Sequence, residues 1–173
     1  MGEPDRRPPR ELTLDEVRAL VADAEVRGLA RRARKTKPVD ARPARPGEVV
    51  VTVVAGEGRE TRSRPAEEGD WVVRNRSEAT GNEEYLVSAA KFRERYRATG
   101  APARDGFQEH RPLGRTVRFL VVTPEHGEFV FKAPWGERMV AKPGDAIVQD
   151  PDDPADTYRV AAAAFDCTYE VLD

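Results

Sequence analysis

An internal repeat constrains this chain more than any other feature of its sequence. Residues 68–75 and 84–98 align with residues 143–150 and 157–171, with three identities in the first block and six in the second. These nine identities among 23 positions include three aromatic pairs, although only 7% of the 173 residues are aromatic. A unit this small buries too little apolar surface to fold alone, so the two copies are expected to share one core. The aromatic pairs are Tyr85 with Tyr158, Phe92 with Phe165, and Tyr96 with Tyr169.

Each copy reads as a turn, two strands and a short helix. Glycine supplies the turn, and the aspartate after it, Asp70 or Asp145, is predicted to cap that turn with its carboxylate. A Val-rich strand and a Tyr-x-Val strand then pair as a hairpin. Ser88 is a predicted N-cap for a helix that carries Phe92 and Tyr96, four residues apart, over one face of the hairpin.

The repeat resembles uncharacterised bacterial and phage proteins grouped under the name PGDYG. The second copy carries Pro143-Gly144-Asp145 and Thr168-Tyr169-Glu170, but Ala146 stands where the family has an aromatic residue. The first copy has that aromatic residue, Trp71, but Glu68 replaces the proline. The resemblance covers residues 64–98 and 139–172. It implies the fold of the unit and assigns no activity.

The N-terminal part has a different pattern, typical of an amphipathic helix. Thr13 and Glu16 have the spacing of a capping box, and apolar residues recur at helical spacing from Leu14. The pattern predicts a helix from Leu14 to about Arg34, whose apolar stripe must dock on the following domain, a second copy or a partner. The predicted organisation is a disordered tail (1–12), an amphipathic helix (13–36), a linker (37–47), a first β unit (48–98), a connector (99–114) and a second β unit (115–173). The expected fold class is α+β, with the helix joined to a mostly antiparallel β domain of SH3-like or barrel-like curvature.

Charge and composition exclude several classes of protein. The formal net charge of -2 excludes a wholesale nucleic-acid coat or a polybasic membrane protein. The single cysteine, Cys167, excludes an internal disulfide and every multi-cysteine metal site. The charged, proline-rich start lacks the apolar region of a secretory signal, and no apolar run approaches membrane-spanning length, so a cytoplasmic location is expected.

No constellation of catalytic or metal-binding residues stands out. None of the three serines lies in a nucleophile elbow, and His110 and His126 fall in a connector and a turn. The Gly56-Glu57-Gly58 sequence is interpreted as a hairpin turn rather than a phosphate loop, and the aspartates of residues 150–156 as an acidic turn rather than a calcium site. We therefore predict no catalytic residues, no cofactor and no metal.

A basic segment supports nucleic-acid binding as an alternative function. Residues 27–45 carry eight positive charges against one negative charge, Asp40. If the helix extends through this segment, Arg27, Arg31 and Arg34 or Lys35 share one face that could contact phosphates. The candidate nucleic-acid-binding residues are Arg27, Arg31, Arg32, Arg34, Lys35 and Lys37.

The leading hypothesis is a non-enzymatic binding or assembly module. Its β domain would recognise a protein partner or a second copy, while the helix docks or oligomerises. Trp71 and Tyr85, with Arg74 beside them, could form a stacking site, although alternation along the strand would make Trp71 a core residue if the Val73 face is buried. A third hypothesis is a small nucleotide-processing or hydrolytic enzyme that uses Asp70 or Asp145. The candidate ligand-binding residues are Asp70, Trp71, Arg74, Tyr85, Asp145 and Tyr158.

Overall fold

A computed structural model describes residues 9–55 and 60–172 of the chain as an α+β fold. The N-terminal part contributes β1 (Arg10–Glu11) and α1 (Leu14–Val26). The first half continues with β2 (Arg31–Lys35), β3 (Val39–Pro43), β4 (Val51–Val53), β5 (Glu60–Arg62), β6 (Trp71–Asn75), a 3-10 turn (Glu78–Thr80), β7 (Glu84–Val87), α2 (Ala89–Arg95) and β8 (Tyr96–Ala98). The second half comprises β9 (Gln108–Pro112), β10 (Thr116–Val121), β11 (Phe129–Lys132), β12 (Arg138–Ala141), β13 (Ala146–Asp150), β14 (Asp153–Val160), α3 (Ala162–Thr168) and β15 (Tyr169–Val171).

The repeat extends beyond the segments whose sequences align. In each half, two strands precede a small hairpin, and two further strands, a short helix and a last strand follow it. The halves therefore correspond element by element, from β2 with β9 to β8 with β15. Ser88 caps α2 by accepting a hydrogen bond from the Lys91 amide, as predicted. Tyr96 is the first residue after that helix and begins β8.

The two halves exchange their first strands. One antiparallel sheet has the strand order β7-β6-β3-β9-β8, and the other has the order β14-β13-β10-β2-β15. Strand β2 of the first half thus lies between two strands of the second half, and β9 of the second half lies between two strands of the first. Neither half completes its own sheet, so the exchange joins the halves into one folding unit.

The N-terminal helix docks on its own chain. Val17 and Val21 are fully buried against Phe129, Phe131 and neighbouring residues of the second half. Strand β1 adds to the same region by pairing in parallel with β11, which also pairs with β12. Of the three docking surfaces considered for the helix, the structure uses the following domain.

The helix is shorter than the sequence pattern predicted. The predicted capping box is confirmed at its start, where Thr13 Oγ1 accepts from the Glu16 amide and Glu16 Oε1 accepts from the Thr13 amide, both at 3.1 Å. The helix ends at Val26 rather than near Arg34 because Gly28 adopts a left-handed conformation with φ of 71°. Residues 31–35 are strand β2, so the prediction of a helix over residues 13–36 is wrong beyond its first half.

Two segments interpreted as connections also contain strands. The predicted linker, 37–47, includes β3, and the predicted connector, 99–114, includes β9. Both strands pair with residues far away in sequence; Ala41, for example, lies opposite Val73. Their few apolar side chains gave little local signal, because distant strands rather than local preference stabilise them.

The strands do not close into a barrel in the part of the chain described here. Both five-stranded sheets end in edge strands, β7 and β8 in one and β14 and β15 in the other. The α+β class and the mostly antiparallel pairing are as expected. No helix in residues 9–55 or 60–172 is long and apolar enough to cross a lipid bilayer.

Candidate functional site

All four tyrosines of the chain line one cavity between the two halves. Tyr85 and Tyr96 come from the first half, and their hydroxyl oxygens lie 3.2 Å apart. Tyr158 and Tyr169 occupy the equivalent positions in the second half, with hydroxyl oxygens 3.4 Å apart. The cavity has a volume of about 210 Å³. The two tyrosine identities of the repeat thus mark the walls of a single cavity.

Lys35 enters the tyrosine cluster from the exchanged strand β2. Its ammonium group donates to the hydroxyl oxygens of Tyr85 at 2.6 Å and Tyr96 at 2.8 Å, and to Asn75 Oδ1 at 3.2 Å. These three acceptors match the three N–H donors of an ammonium group. All three are neutral, and no carboxylate within residues 9–55 and 60–172 pairs directly with Lys35.

The equivalent place at the other end of the cavity has no lysine. Lys35 ends β2 opposite Tyr169 in the register, and Pro112 ends β9 opposite Tyr96. Pro112 therefore occupies the position in the second half that Lys35 occupies in the first. The cavity consequently has an ammonium group that donates to Tyr85 and Tyr96, whereas Pro112, at the matching position, can donate nothing to Tyr158 and Tyr169.

Asn75 connects Lys35 to a buried acid. The Asn75 amide nitrogen donates to Glu83 Oε1 at 2.8 Å, while its oxygen accepts from Lys35. The Thr80 hydroxyl also donates to Glu83. The lysine charge is therefore balanced through an intervening amide rather than by direct contact, and the orientation of the Asn75 amide is fixed by both neighbours.

The surroundings separate the pKa values of the four phenols. Burial away from water, together with the neighbouring phenols, raises the pKa of Tyr85 and Tyr169 well above the ordinary value, and burial also raises the pKa of Tyr158. Burial opposes ionisation of Tyr96 too and is the largest single effect, but the charge and hydrogen bond of Lys35, the hydrogen bond with Tyr85 and the charge of Arg95 together outweigh it. The pKa of Tyr96 therefore lies below its ordinary value.

A second cationic group near the tyrosines is neutralised by an acid. Arg95 donates to Asp156 Oδ2 at 2.5 Å, and Lys91 lies 3.3 Å from the same oxygen. The Arg95 guanidinium also lies over the ring of Tyr158, 5.2 Å from its centroid. Asp156 is 4% exposed, so this ion pair is shielded from water and holds α2 against β14.

The rest of the cavity wall is mainly apolar and aromatic. The Trp135 ring lies 5.7 Å from that of Tyr158, and Trp135 Nε1 donates to Glu137 Oε2 at 2.9 Å. The Glu137 carboxylate also accepts from the Thr61 hydroxyl at 2.8 Å. The apolar residues of the wall include Val54, Val87, Val117, Met139, Val160, Ala161 and Ala164.

The predicted stacking site is divided between two faces of a sheet. Trp71 stacks on Phe92, with ring centroids 4.2 Å apart, and packs in the same cluster as the fully buried Val73. This arrangement favours the core interpretation of Trp71. Arg74 lies on the opposite face, 4.0 Å from the ring centroid of Phe107, so it is not beside Trp71. Of the predicted ligand-binding residues, Tyr85 and Tyr158 line the cavity.

Asp70 and Asp145 cap turns, as predicted. Asp70 Oδ2 accepts from the Glu67 amide and from Arg64, each at 2.8 Å. Asp145 accepts from the backbone amides of Lys142 and Ala162, each at 3.1 Å, and from Arg159 Nε at 2.9 Å. Because Ala161 offers no side-chain cap, Asp145 also serves the first turn of α3.

The predicted nucleic-acid face does not form. Arg31 to Lys35 lie in a strand, where successive side chains point to opposite faces, so they cannot share a helix face with Arg27. Most of these residues contact groups of the same chain. The contacts are Arg27 with Asp23 at 3.1 Å, Arg31 over the Phe119 ring at 5.9 Å, Arg32 with Glu25 at 2.6 Å, Arg34 with Glu170 at 3.3 Å, and Lys37 with Cys167 Sγ at 3.3 Å.

Sequence reasoning missed most polar residues of the site, among them Asn75, Arg95 and Asp156. The repeat did indicate Tyr96 and Tyr169, since the aromatic residue is identical in the two copies, but it could not indicate that both line one cavity. No group of three or more His, Cys, Asp or Glu side chains suited to a metal ion occurs in the described residues. The predicted hairpin turn at Gly56-Glu57-Gly58 lies outside them.

Comparisons with known proteins leave the chain without a match: no protein-family model, no curated protein and no solved structure is significantly similar to it. The resemblance of the repeat to the PGDYG proteins therefore stays a prediction from its motifs. The candidate site stands on its own geometry.

Proposed function

We propose that this protein is a binding module whose cavity between the two halves holds a small organic ligand. The observation that carries the proposal is the convergence of all four tyrosines, two from each half, on one partly apolar cavity. Ligand sites commonly combine apolar and aromatic walls with a few well-placed polar groups. Here the polar groups include Lys35 and the tyrosine hydroxyls that it contacts, together with charged side chains that are paired with each other, such as Arg95 and Asp156.

The volume of the cavity suits a ligand part of about one ring. A cavity of roughly 150 Å³ in another protein holds benzene, and drug-sized ligands need roughly 300 Å³ or more. A volume of about 210 Å³ therefore suits a single ring with a small substituent. Aromatic walls such as Trp135 and Tyr158 favour a flat ring.

A protein partner and nucleic acid are the less favoured ligands. The hypothesis of a docking or oligomerising helix depended on a free apolar stripe, and that stripe is packed against Phe129 and Phe131. The nucleic-acid hypothesis depended on one continuous basic helix face, and residues 31–35 form a strand. The cavity depends on neither feature, so it is the better basis for a binding function.

Trp135 fluorescence tests the proposal directly. The chain has two tryptophans, so a Trp71→Phe variant leaves Trp135, which lines the cavity, as the single reporter. We expect benzamide, a neutral one-ring compound, or benzoate to change Trp135 emission in a saturable way. The absence of a saturable change with both compounds would contradict the proposal.

Two alanines of α3 provide a matched pair for this test. Ala164 is buried and lines the cavity, whereas Ala163 is exposed on the same helix. Ala164→Leu should fill part of the cavity and weaken binding by about tenfold or more, and Ala163→Leu should leave the affinity unchanged. Equal affinities in the two variants would place the ligand elsewhere.

A further inference from the structure

Lys35 and Glu137 are two charged groups of the cavity wall whose direct hydrogen-bond partners are neutral. Glu83, which also lines the cavity, lies behind Asn75 at the Lys35 end. Lys35 brings a positive charge to Tyr85 and Tyr96, and its direct partners are neutral. Glu137 brings a negative charge to the Trp135 end, where its direct partners, Thr61 and Trp135, are also neutral. A ligand with a charged group would therefore be oriented as well as held.

The Tyr96 hydroxyl is the donor that can turn toward a ligand. The Tyr85 hydroxyl donates a hydrogen bond to Asn75 Oδ1, 3.2 Å away. Tyr96 accepts from Lys35, and the one acceptor for its own proton within the described residues is the Tyr85 oxygen at 3.2 Å. Turning the Tyr96 hydroxyl into the cavity therefore costs one long hydrogen bond and exposes a donor to the ligand.

Lys35 strengthens that donor. An ammonium group that donates to a phenol oxygen withdraws electron density from it, so the remaining O–H becomes a better donor to an anion. The charge and hydrogen bond of Lys35 also contribute to the lowered pKa of Tyr96. Tyr169, the equivalent residue of the second half, lies opposite Lys35 in the strand register, but its hydroxyl partner is Tyr158, and no lysine of the described residues donates to it.

We propose that the ligand is a small organic carboxylate, with its carboxylate accepting a hydrogen bond from Tyr96 beside Lys35 and its apolar body directed toward Trp135 and Tyr158. The inference rests on the proposed function and specifies its ligand class. The negative charge of Glu137 disfavours the opposite orientation. The apolar body meets the aromatic end of the wall, where the Trp135 and Tyr158 rings lie close together.

Benzoate and benzamide have nearly the same shape and differ in charge, so their relative affinity tests the inference. In the Trp71→Phe background, we expect benzoate to bind about tenfold or more tightly than benzamide. Benzamide binding as well as benzoate, or better, would overturn the carboxylate assignment and leave the proposed function intact. Failure of both compounds to bind would overturn the proposed function and the inference with it.

Substitutions at the two ends of the cavity locate the carboxylate. Lys35→Met and Tyr96→Phe should each remove the preference for benzoate, and Tyr96→Phe does so without deleting a charge. Lys132→Met, at an exposed position of β11, changes the net charge equally and should keep the preference. Tyr169→Phe should change both affinities by the same factor. A preference that survives Tyr96→Phe but is lost in Tyr169→Phe would reverse the proposed orientation and overturn the inference.

Discussion

Replacing Asp145 with asparagine should lower the free energy of unfolding by about 3 kcal/mol, because a buried carboxylate that serves three donors loses its charge. Asp145 is fully buried and accepts hydrogen bonds from Arg159 and from the backbone amides of Lys142 and Ala162. An asparagine side chain has one acceptor oxygen, and its NH2 group would face at least one of these N–H donors without accepting from it. Arg159 has a side chain 12% exposed, so water compensates little for the lost pairing. Chemical denaturation of the two proteins measures the difference.

Asp70→Asn is the matched control in the other half. Asp70 occupies the same place in the repeat, but its partner Arg64 is 26% exposed and remains partly hydrated. We expect a smaller loss, about 1 to 2 kcal/mol. If Asp145→Asn leaves the free energy of unfolding unchanged, Asp145 does not have the structural role assigned to it. The catalytic hypothesis would then better explain why both copies of the repeat carry this aspartate.

Ala33→Asp should also destabilise the protein by about 3 kcal/mol or more, because it places a carboxylate in a dry core. Ala33 lies at the middle of β2, fully buried among Phe119, Val148 and Phe165. These neighbours belong to the second half of the chain, so the variant tests the strand exchange itself. If residues 31–35 formed the end of a solvent-exposed helix, the same substitution would have little effect.

Arg34→Ala provides the comparison within the same strand. The Arg34 side chain is 47% exposed and pairs with Glu170 at the surface. Such pairs contribute little, so we expect a change below about 1 kcal/mol in chemical denaturation. A loss as large as that of Ala33→Asp would indicate that the alternation of buried and exposed side chains along β2 is incorrect.

Local signals in the sequence predicted the parts of the fold that local interactions determine. The Thr13–Glu16 capping box, the Ser88 N-cap and the hairpin of β6 and β7 follow from residues close together in the chain. The repeat showed that the chain is duplicated, and it indicated all four tyrosines. Each of these features depends on side chains within a few residues of one another or on direct identity between the copies.

The strand exchange and the polar half of the site could not be predicted in this way. Residues 31–35 have a single apolar residue, Ala33, and their pairing with β10 and β15 depends on segments about 80 or more positions away. The basic residues of this segment fit the exposed last turns of a helix as well as they fit a strand. Lys35 was therefore interpreted as a phosphate contact, whereas the exchange turns it toward Tyr85 and Tyr96.

The ionisation of the tyrosines tests the central claim most directly, since the chain has no tyrosine outside the cavity. Ultraviolet absorbance of tyrosinate should show one phenol, Tyr96, ionising below its ordinary pKa of about 10, and Lys35→Met should remove this early phase. The pKa of each of the other three is raised in the folded state, so their neutral forms favour folding. That contribution is complete below pH of about 10 and is lost as the pH rises through their folded pKa values. Four tyrosines that ionise together near pH 10 while the protein stays folded would contradict a shared cavity built around Lys35.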